Sequence, residues 1–255
     1  MLVACRIKFL MMVLVLCGVV SCSTTDDNRV VMTAEDLFNK GIKYYKDEDY
    51  LEARKVFDAL KLQYPASQYA DDAQYYLAEC YFKQEEYIIA AYNFNALRRY
   101  YPSSQYYKDA FFKAGLSYYY LAPSFDRDPD YTFKAIQALS EFQSIYGGDS
   151  LSVIAGQYID ELRNRLAYHD YFTANLYRKL RSPHSALVYY QSVIDNYNDS
   201  KYYEAAYFGK IEVLFEMNKF KELATTIDLY KAIFKEAKYL NEIQAIERQV
   251  PEEFK

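Results

Sequence analysis

Small, aromatic and branched apolar residues recur along this chain in a fixed order. Gly41, Tyr44, Ala53, Phe57, Leu60 and Pro65 are followed, each 37 residues later, by Ala78, Tyr81, Ala90, Phe94, Leu97 and Pro102. Within one stretch a small residue precedes an aromatic by three positions. A polar turn follows, then apolar residues at i, i+4 and i+7, then proline. This spacing draws one apolar stripe on each of two helices, and the proline stops the second. The small side chain lets two helices approach, and a neighbouring ring fills the space beside it. A third stretch opens with Gly115 and Tyr118, but its second helix, carrying Ala135, Leu139 and Phe142, arrives eight residues late, so its turn holds an insert. A fourth has Ala174, Tyr177, Ala186, Tyr190 and Val193, and a weaker fifth has Ile211, Leu214, Leu223 and Ile227. Between the third and fourth, Ile154, Tyr158, Leu162 and Leu166 keep helical spacing without proline or a turn cluster, which predicts one long helix from Leu151 to Leu180.

The order is similar to that of tetratricopeptide repeats. With Ala34 as the first position, Leu37, Gly41, Tyr44, Ala53, Phe57, Leu60 and Pro65 fall at that family's signature places. The expected fold is all-α: a tetratricopeptide-repeat solenoid of about five helical hairpins, an α-α superhelix. Residues 34–149 would hold units 1 to 3, residues 150–240 the long helix with units 4 and 5, and residues 241–255 a C-terminal tail. In a solenoid each unit contacts mainly its neighbours, so the end units need polar outer faces, and the charged stretch Ile243 to Lys255 reads as a cap or a frayed end.

The amino terminus has a different pattern. Arg6 and Lys8 precede an apolar run from Phe9 to Val20, too short to cross a bilayer core of ~30 Å as a helix, so residues 1–21 read as a signal peptide. Val19-Val20-Ser21-Cys22 followed by Ser23-Thr24-Thr25-Asp26-Asp27-Asn28 resembles a bacterial lipobox, in which the Cys22 thiol is diacylated and becomes the new terminus. The alternative is an ordinary cleavage site beside a free cysteine. Several acyl chains on one residue would hold the protein stably on a membrane, where a single chain holds it only reversibly. Residues 22–33 would then be a flexible tether. Of 4 cysteines, Cys5 and Cys17 leave with the signal and Cys22 is acylated. Cys80 remains alone, reads as a small buried apolar residue, and leaves the fold without an internal disulfide.

Composition narrows the function. With 31 Tyr, 16 Phe and no Trp against 7 Gly and 6 Pro, the chain has few of the turn residues that a sandwich or doubly wound sheet needs. A net charge of −5 without a basic tract argues against nucleic acid as a partner. His169 and His184 lack thiolate or carboxylate partners at zinc spacing, so no metal is expected. Asp126-Arg127-Asp128-Pro129-Asp130 lacks the alternating ligands of a calcium loop. No phosphate-cradling glycine loop and no nucleophile elbow occur. A non-enzymatic protein without a cofactor is the reading.

Three further features give a resemblance to the BamD family, the lipoprotein subunit of the outer-membrane β-barrel assembly machinery. Tyr64-Pro65-Ala66-Ser67-Gln68-Tyr69 and Tyr101-Pro102-Ser103-Ser104-Gln105-Tyr106 end units 1 and 2, and Asn198-Asp199-Ser200-Lys201-Tyr202 echoes them. Asp126-Arg127-Asp128, with Thr132 and Ala135, resembles the family's insert in unit 3, and the length leaves no room for another domain. The resemblance implies an outer-membrane, lipid-anchored scaffold facing the periplasm. Its first units would receive segments of unfolded outer-membrane β-barrel proteins, and its last units would dock on the periplasmic domains of a BamA-like barrel-forming subunit. Unit 3 departs from the family by ending in Tyr146-Gly147-Gly148-Asp149-Ser150 where proline is usual. A repeat lipoprotein linking the outer membrane to peptidoglycan or division machinery is the competing reading.

In the repeat frame the concave face is lined by Phe38, Ile42 and Tyr45, then Tyr75, Glu79 and Phe82, then Phe112, Leu116 and Tyr119. Only Glu79 among them is charged. These residues form a candidate aromatic trough for an extended segment ending in aromatic residues, with Lys46 and Lys83 either accepting a carboxylate or, the favoured reading, belonging to a solvated face. The competing use of the same rings is packing against neighbouring helices.

Overall fold

The structure, a computed structural model, describes residues 32–252. The signal segment, Cys22 and nearly all of the tether lie outside the described residues. Residues 34–252 belong to one compact unit. Within it, eleven helices and no strand occur among the described residues: α1 Ala34–Lys46, α2 Tyr50–Gln63, α3 Ala70–Lys83, α4 Tyr87–Tyr100, α5 Tyr107–Leu121, α6 Asp130–Tyr146, α7 Ser150–Lys179, α8 Pro183–Asn196, α9 Tyr203–Glu216, α10 Phe220–Ile233 and α11 Leu240–Glu247. The fold is therefore all-α, and each helix packs chiefly on the next, as in a solenoid of tetratricopeptide-like hairpins.

The repeated small and large residues make the seams. Ala53, Phe57, Leu60, Ala78, Ala90, Phe94 and Leu97 are fully buried. A methyl group added to Gly41 would sit 2.5 Å from the Phe57 ring, and one on Gly115 would sit 2.8 Å from Leu139, so helix approach in these hairpins requires the missing side chain. The fifth unit is built as its sequence indicates, with Ile211, Leu214, Leu223 and Ile227 buried, but its closest approach lies elsewhere. Gly209 meets the Tyr190 ring of the preceding hairpin, where an added Cβ would be 2.4 Å from the ring. Tyr190 is larger than Phe57 or Phe94 at the same place in the repeat, and the glycine opposite it supplies the room.

The turns inside hairpins repeat as faithfully as the seams. Glu48, Glu85, Arg181 and Asn218 all have φ between 55° and 61°. In each case the residue after it donates its N–H to the carbonyl of an aromatic or leucine five positions back: Asp49 to Tyr44 and Glu86 to Tyr81 at 2.9 Å, Ser182 to Tyr177 at 2.9 Å, Lys219 to Leu214 at 3.0 Å. These left-handed C-terminal turns satisfy the last helix carbonyls. Unit 3 has no such residue, because its insert occupies that turn. Arg165 holds the insert by donating to the carbonyl oxygens of Ala122 and Pro123 at 3.0 and 2.8 Å, and Phe125 packs edge-on against Tyr168 and Phe172.

Turns between hairpins are closed by tyrosines. Tyr69 stacks on Phe38 with centroids 5.1 Å apart, Tyr106 on Tyr75 at 4.1 Å, Tyr202 on Tyr171 at 5.6 Å and Tyr239 on Phe208 at 4.5 Å. Each thus covers the first helix of the hairpin before it. Where unit 3 lacks proline, Asp149 caps α7 by accepting from Leu151 N at 2.9 Å and pairs with Lys108 at 2.6 Å.

The long helix is α7, of 30 residues. Its first half packs on α6 and its second on α8, so one helix serves two hairpins. Buried side chains on its two sides fall in separate clusters, one running through Ala155 and Ile159 and the other starting at Ala167. Midway, Arg163 grips Asp199 through both carboxylate oxygens at 2.5 and 2.7 Å and Asn164 accepts from Lys201 N at 2.9 Å, fixing the turn that leads to α9. At the far end α11 buries Ile243, and Val250 beyond it is buried in the same core.

A non-glycine residue in the left-handed region is strained, and glycine there removes the strain. Glu85→Gly should raise the unfolding free energy by about 0.5–1 kcal/mol in urea denaturation, since Glu85 holds a positive φ and its side chain is exposed, away from the core.

Candidate functional site

The first helices of units 1 to 3 lie side by side and present the residues marked in the sequence. Phe38, Ile42, Tyr45, Phe82, Leu116 and Tyr119 are half-buried, whereas Tyr75 and Phe112 are only 7% and 6% exposed. Tyr75 is covered by Tyr106, and Phe112 packs on Phe142 with centroids 5.6 Å apart. These two rings back the wall, and the other six form its accessible surface.

Rings link the wall end to end. From Phe38 contact passes to Tyr76 at 6.2 Å, to Tyr75 at 5.5 Å, to Phe94 at 6.0 Å and to Phe82 at 6.3 Å. It continues to Tyr120 at 5.7 Å, Tyr119 at 5.5 Å and Tyr158 of α7 at 4.3 Å. Tilted and edge-to-face pairs at such separations are favourable beyond the area they bury, so the rings hold one another in place. Tyr87 stacks on Tyr120 at 4.9 Å, and Tyr120 remains 48% exposed, the most open ring of this ladder.

A charged strip runs through the same wall. Glu79, 5% exposed, accepts from the Tyr45 hydroxyl at 3.3 Å, and its Oε1 lies 2.7 Å from Lys113 Nζ. Lys113 also reaches Asp109 at 3.4 Å and donates to the Tyr75 hydroxyl at 3.0 Å, while that hydroxyl donates to Asp109. Burial, with Glu79 next, pushes the Tyr45 and Tyr75 hydroxyls well above the ordinary tyrosine range, so both stay protonated donors. The one carboxylate of the wall is thus paired with Lys113, which it shares with Asp109. Further along, Tyr119 donates to Glu161 at 2.7 Å, and Glu161 pairs with Arg165 at 3.0 Å. Lys46 and Lys83 are exposed at the ends of α1 and α3.

Other candidates sit as follows. Cys80 is fully buried, and burial raises its thiol to about 12, which leaves roughly one thiolate in ten thousand at pH 8. His169 meets Asp170 at 3.0 Å, and His184 is exposed near the start of α8. Among the described residues no group of histidine, cysteine or carboxylate residues is arranged to hold a metal ion, and no helix is long and apolar enough to cross a membrane.

A family profile, YfiO, described as an outer membrane lipoprotein, matches residues 31–226, from the start of the first hairpin into α10. The chain belongs to this family. It is also 24% identical over 190 residues to the outer membrane protein assembly factor BamD of Rickettsia prowazekii (strain Madrid E), covering 74% of this chain and 76% of that protein. The BamD-family resemblance of the sequence agrees with both. Among solved structures, the TPR2AB-domain:pHSP90 complex of yeast Sti1 aligns with a TM-score of 0.44 at 14% identity, covering 85% of this chain and 98% of that one. A thermophilic TPR protein of Thermus thermophilus aligns with a TM-score of 0.37 at 15% identity, covering 86% and 98%.

Tyr69, Tyr76, Tyr106, Tyr120 and Tyr158 also belong to the wall, beyond the positions that the repeat frame marks. Tyr69 and Tyr106 carried a signal, since both close the repeated Tyr-Pro-x-Ser-x-Tyr turn. Tyr76 and Tyr120 sit one residue beyond positions assigned to the wall, and the repeat frame alone gives no reason to include them. Lys113 lies beyond those positions as well, although it stands one residue after Phe112, on the helix facing Glu79.

The burial difference predicts a split between two phenylalanines. Phe112→Ala should lower stability by about 3–5 kcal/mol in chemical denaturation, whereas Phe82→Ala, half-exposed, should cost roughly 1 kcal/mol and leave the helical signal intact.

Proposed function

We propose that this chain is a non-enzymatic scaffold of the machinery that assembles β-barrel proteins in the outer membrane. Cys22 carries the lipid anchor, and the folded units face the periplasm. The wall of units 1 to 3, from Phe38 to Tyr119, receives an extended segment of an unfolded barrel substrate, and units 4 and 5 dock on the periplasmic domains of the barrel-forming subunit. The observation that carries this reading is the match of the outer membrane lipoprotein family over residues 31–226, which includes every residue of the wall. The name of the Rickettsia relative, an assembly factor, supports the same process.

The geometry supports the substrate half of the proposal. Barrel strands alternate apolar and polar side chains, and a wall of ring edges with buried-side hydroxyls suits such a segment. Rings already packed on one another lose little further freedom when a peptide arrives, and such preorganisation favours binding. Lys46 and Lys83 lie at the wall's edge, where the segment's carboxylate can pair with them.

Affinity isolation of the intact lipoprotein from membranes, with partners identified by mass spectrometry, tests the proposal. A barrel-forming subunit should be recovered at stoichiometric yield, and Cys22→Ser should release the chain from the membrane. Recovery of peptidoglycan-bound or division proteins with no barrel-forming subunit would contradict it.

A further inference from the structure

A second groove lies away from the wall. It is lined by α4, α5 and α6 and has a volume of about 620 Å³. No residue is shared with the wall. Ile88 and Tyr92, 58% and 72% exposed, form an apolar lip, and Tyr118 stacks on Tyr131 within it. The lining contains three cations, Arg98, Arg99 and Lys134, and no acid. The Arg98 guanidinium is held 3.2 Å over the Phe111 ring and reaches Glu141 at 3.5 Å, and Lys134 pairs with Asp130 at 3.0 Å. Both acids stand outside the lining. Arg99 is exposed and has no acidic partner among the described residues.

The repeat supplies an internal comparison. A groove of about 500 Å³ occurs at the equivalent place two hairpins later, lined by α8, α9 and α10. Tyr92, Asn95, Arg99 and Tyr118 correspond to Val188, Gln191, Asp195 and Leu214, each 96 residues on, and Lys134 corresponds to Glu222 once the insert is allowed for. The apolar and amide positions keep their character. Of the three cationic positions, two change sign, Arg99 to Asp195 and Lys134 to Glu222, and Arg98 is replaced by Ile194, while Lys210 is the one cation of the second lining. Grooves at equivalent places, one lined by cations alone and the other carrying two acids and one lysine, discriminate partners by sign, because like charges brought together at a partly buried interface are strongly unfavourable.

We infer that the groove between α4 and α6 is a docking site for an acidic peptide segment of a partner protein, anchored by an apolar or aromatic side chain against Ile88 and Tyr92. Its carboxylates pair with Arg99 first and then with Arg98 and Lys134. The site is independent of the wall, so the chain holds a segment on each face at once.

The test uses the full chain in detergent and a short fluorescein-labelled peptide of glutamates around a central phenylalanine and leucine, read by fluorescence anisotropy. The glutamate peptide should bind, with affinity falling as salt rises, and its lysine counterpart should not. Arg99→Glu with Lys134→Glu should weaken binding about tenfold or more, both residues being exposed and outside the core. Lys221→Glu with Lys235→Glu, which changes the net charge equally but lies outside both grooves, should leave it unchanged. The inference is overturned if the glutamate peptide does not bind, or if reversal at Arg99 and Lys134 leaves its affinity unaltered. It is equally overturned if the changes at Lys221 and Lys235 weaken binding to a similar degree, which would mean attraction by overall charge. Sedimentation showing a dimer that Arg99→Glu dissolves would make a second copy of this chain the occupant and overturn it too.

Discussion

A large ring seated against a residue with little or no side chain is the contact on which this molecule depends. At Gly41 the Phe57 ring stands where a methyl group would be, and at Gly209 the Tyr190 ring does the same. Helices that approach this closely exclude water from both neighbours and bury the aromatic in full, which is the dominant favourable term available to an all-helical chain without a disulfide in its described core. Because the contact repeats with the chain, the structure extends by addition. Each hairpin is stabilised by the one before it, and α11 closes the last with Ile243.

The same repetition builds the surfaces. Once seams fix the hairpins, the tyrosine ending each turn falls onto the first helix behind it, at Phe38, Tyr75, Tyr171 and Phe208. Stacking by the turns commits Tyr75 to the interior and leaves its neighbours to form the accessible wall. Glu79 could not remain in such a place as a free carboxylate, since an unpaired buried charge is costly, and Lys113 offsets it. Away from the wall the second helices border grooves, and there the repeat has diverged in charge.

Much of this was legible in the sequence. Six positions at a constant spacing of 37 gave the hairpins, the late Ala135 gave the insert, and unbroken helical spacing past Ile154 and Leu166 gave the long helix, which runs from Ser150 to Lys179. Periodicity carries such features because seams are local and repeated. It could not separate Phe38 from Phe112, since both occupy one place in the frame, yet Phe112 against Phe142 is buried whereas Phe38, on the first described helix and against Phe57, Tyr69 and Tyr76, stays half-buried. Nor did it indicate Glu48, Glu85, Arg181 and Asn218 as left-handed turn residues, because no glycine marks them. Gly209 was hidden for a third reason: its partner Tyr190 lies in the preceding hairpin, and the frame compares positions within units.

The most direct test of the seam is a double-mutant cycle between Gly209 and Tyr190, with unfolding free energies measured in urea. Gly209→Ala should destabilise the protein by about 1–3 kcal/mol when Tyr190 is present and far less in a Tyr190→Val background, giving a coupling of about 1 kcal/mol or more. Additive effects, with Gly209→Ala equally harmful or equally harmless in both backgrounds, would show that the ring does not occupy the space the glycine leaves.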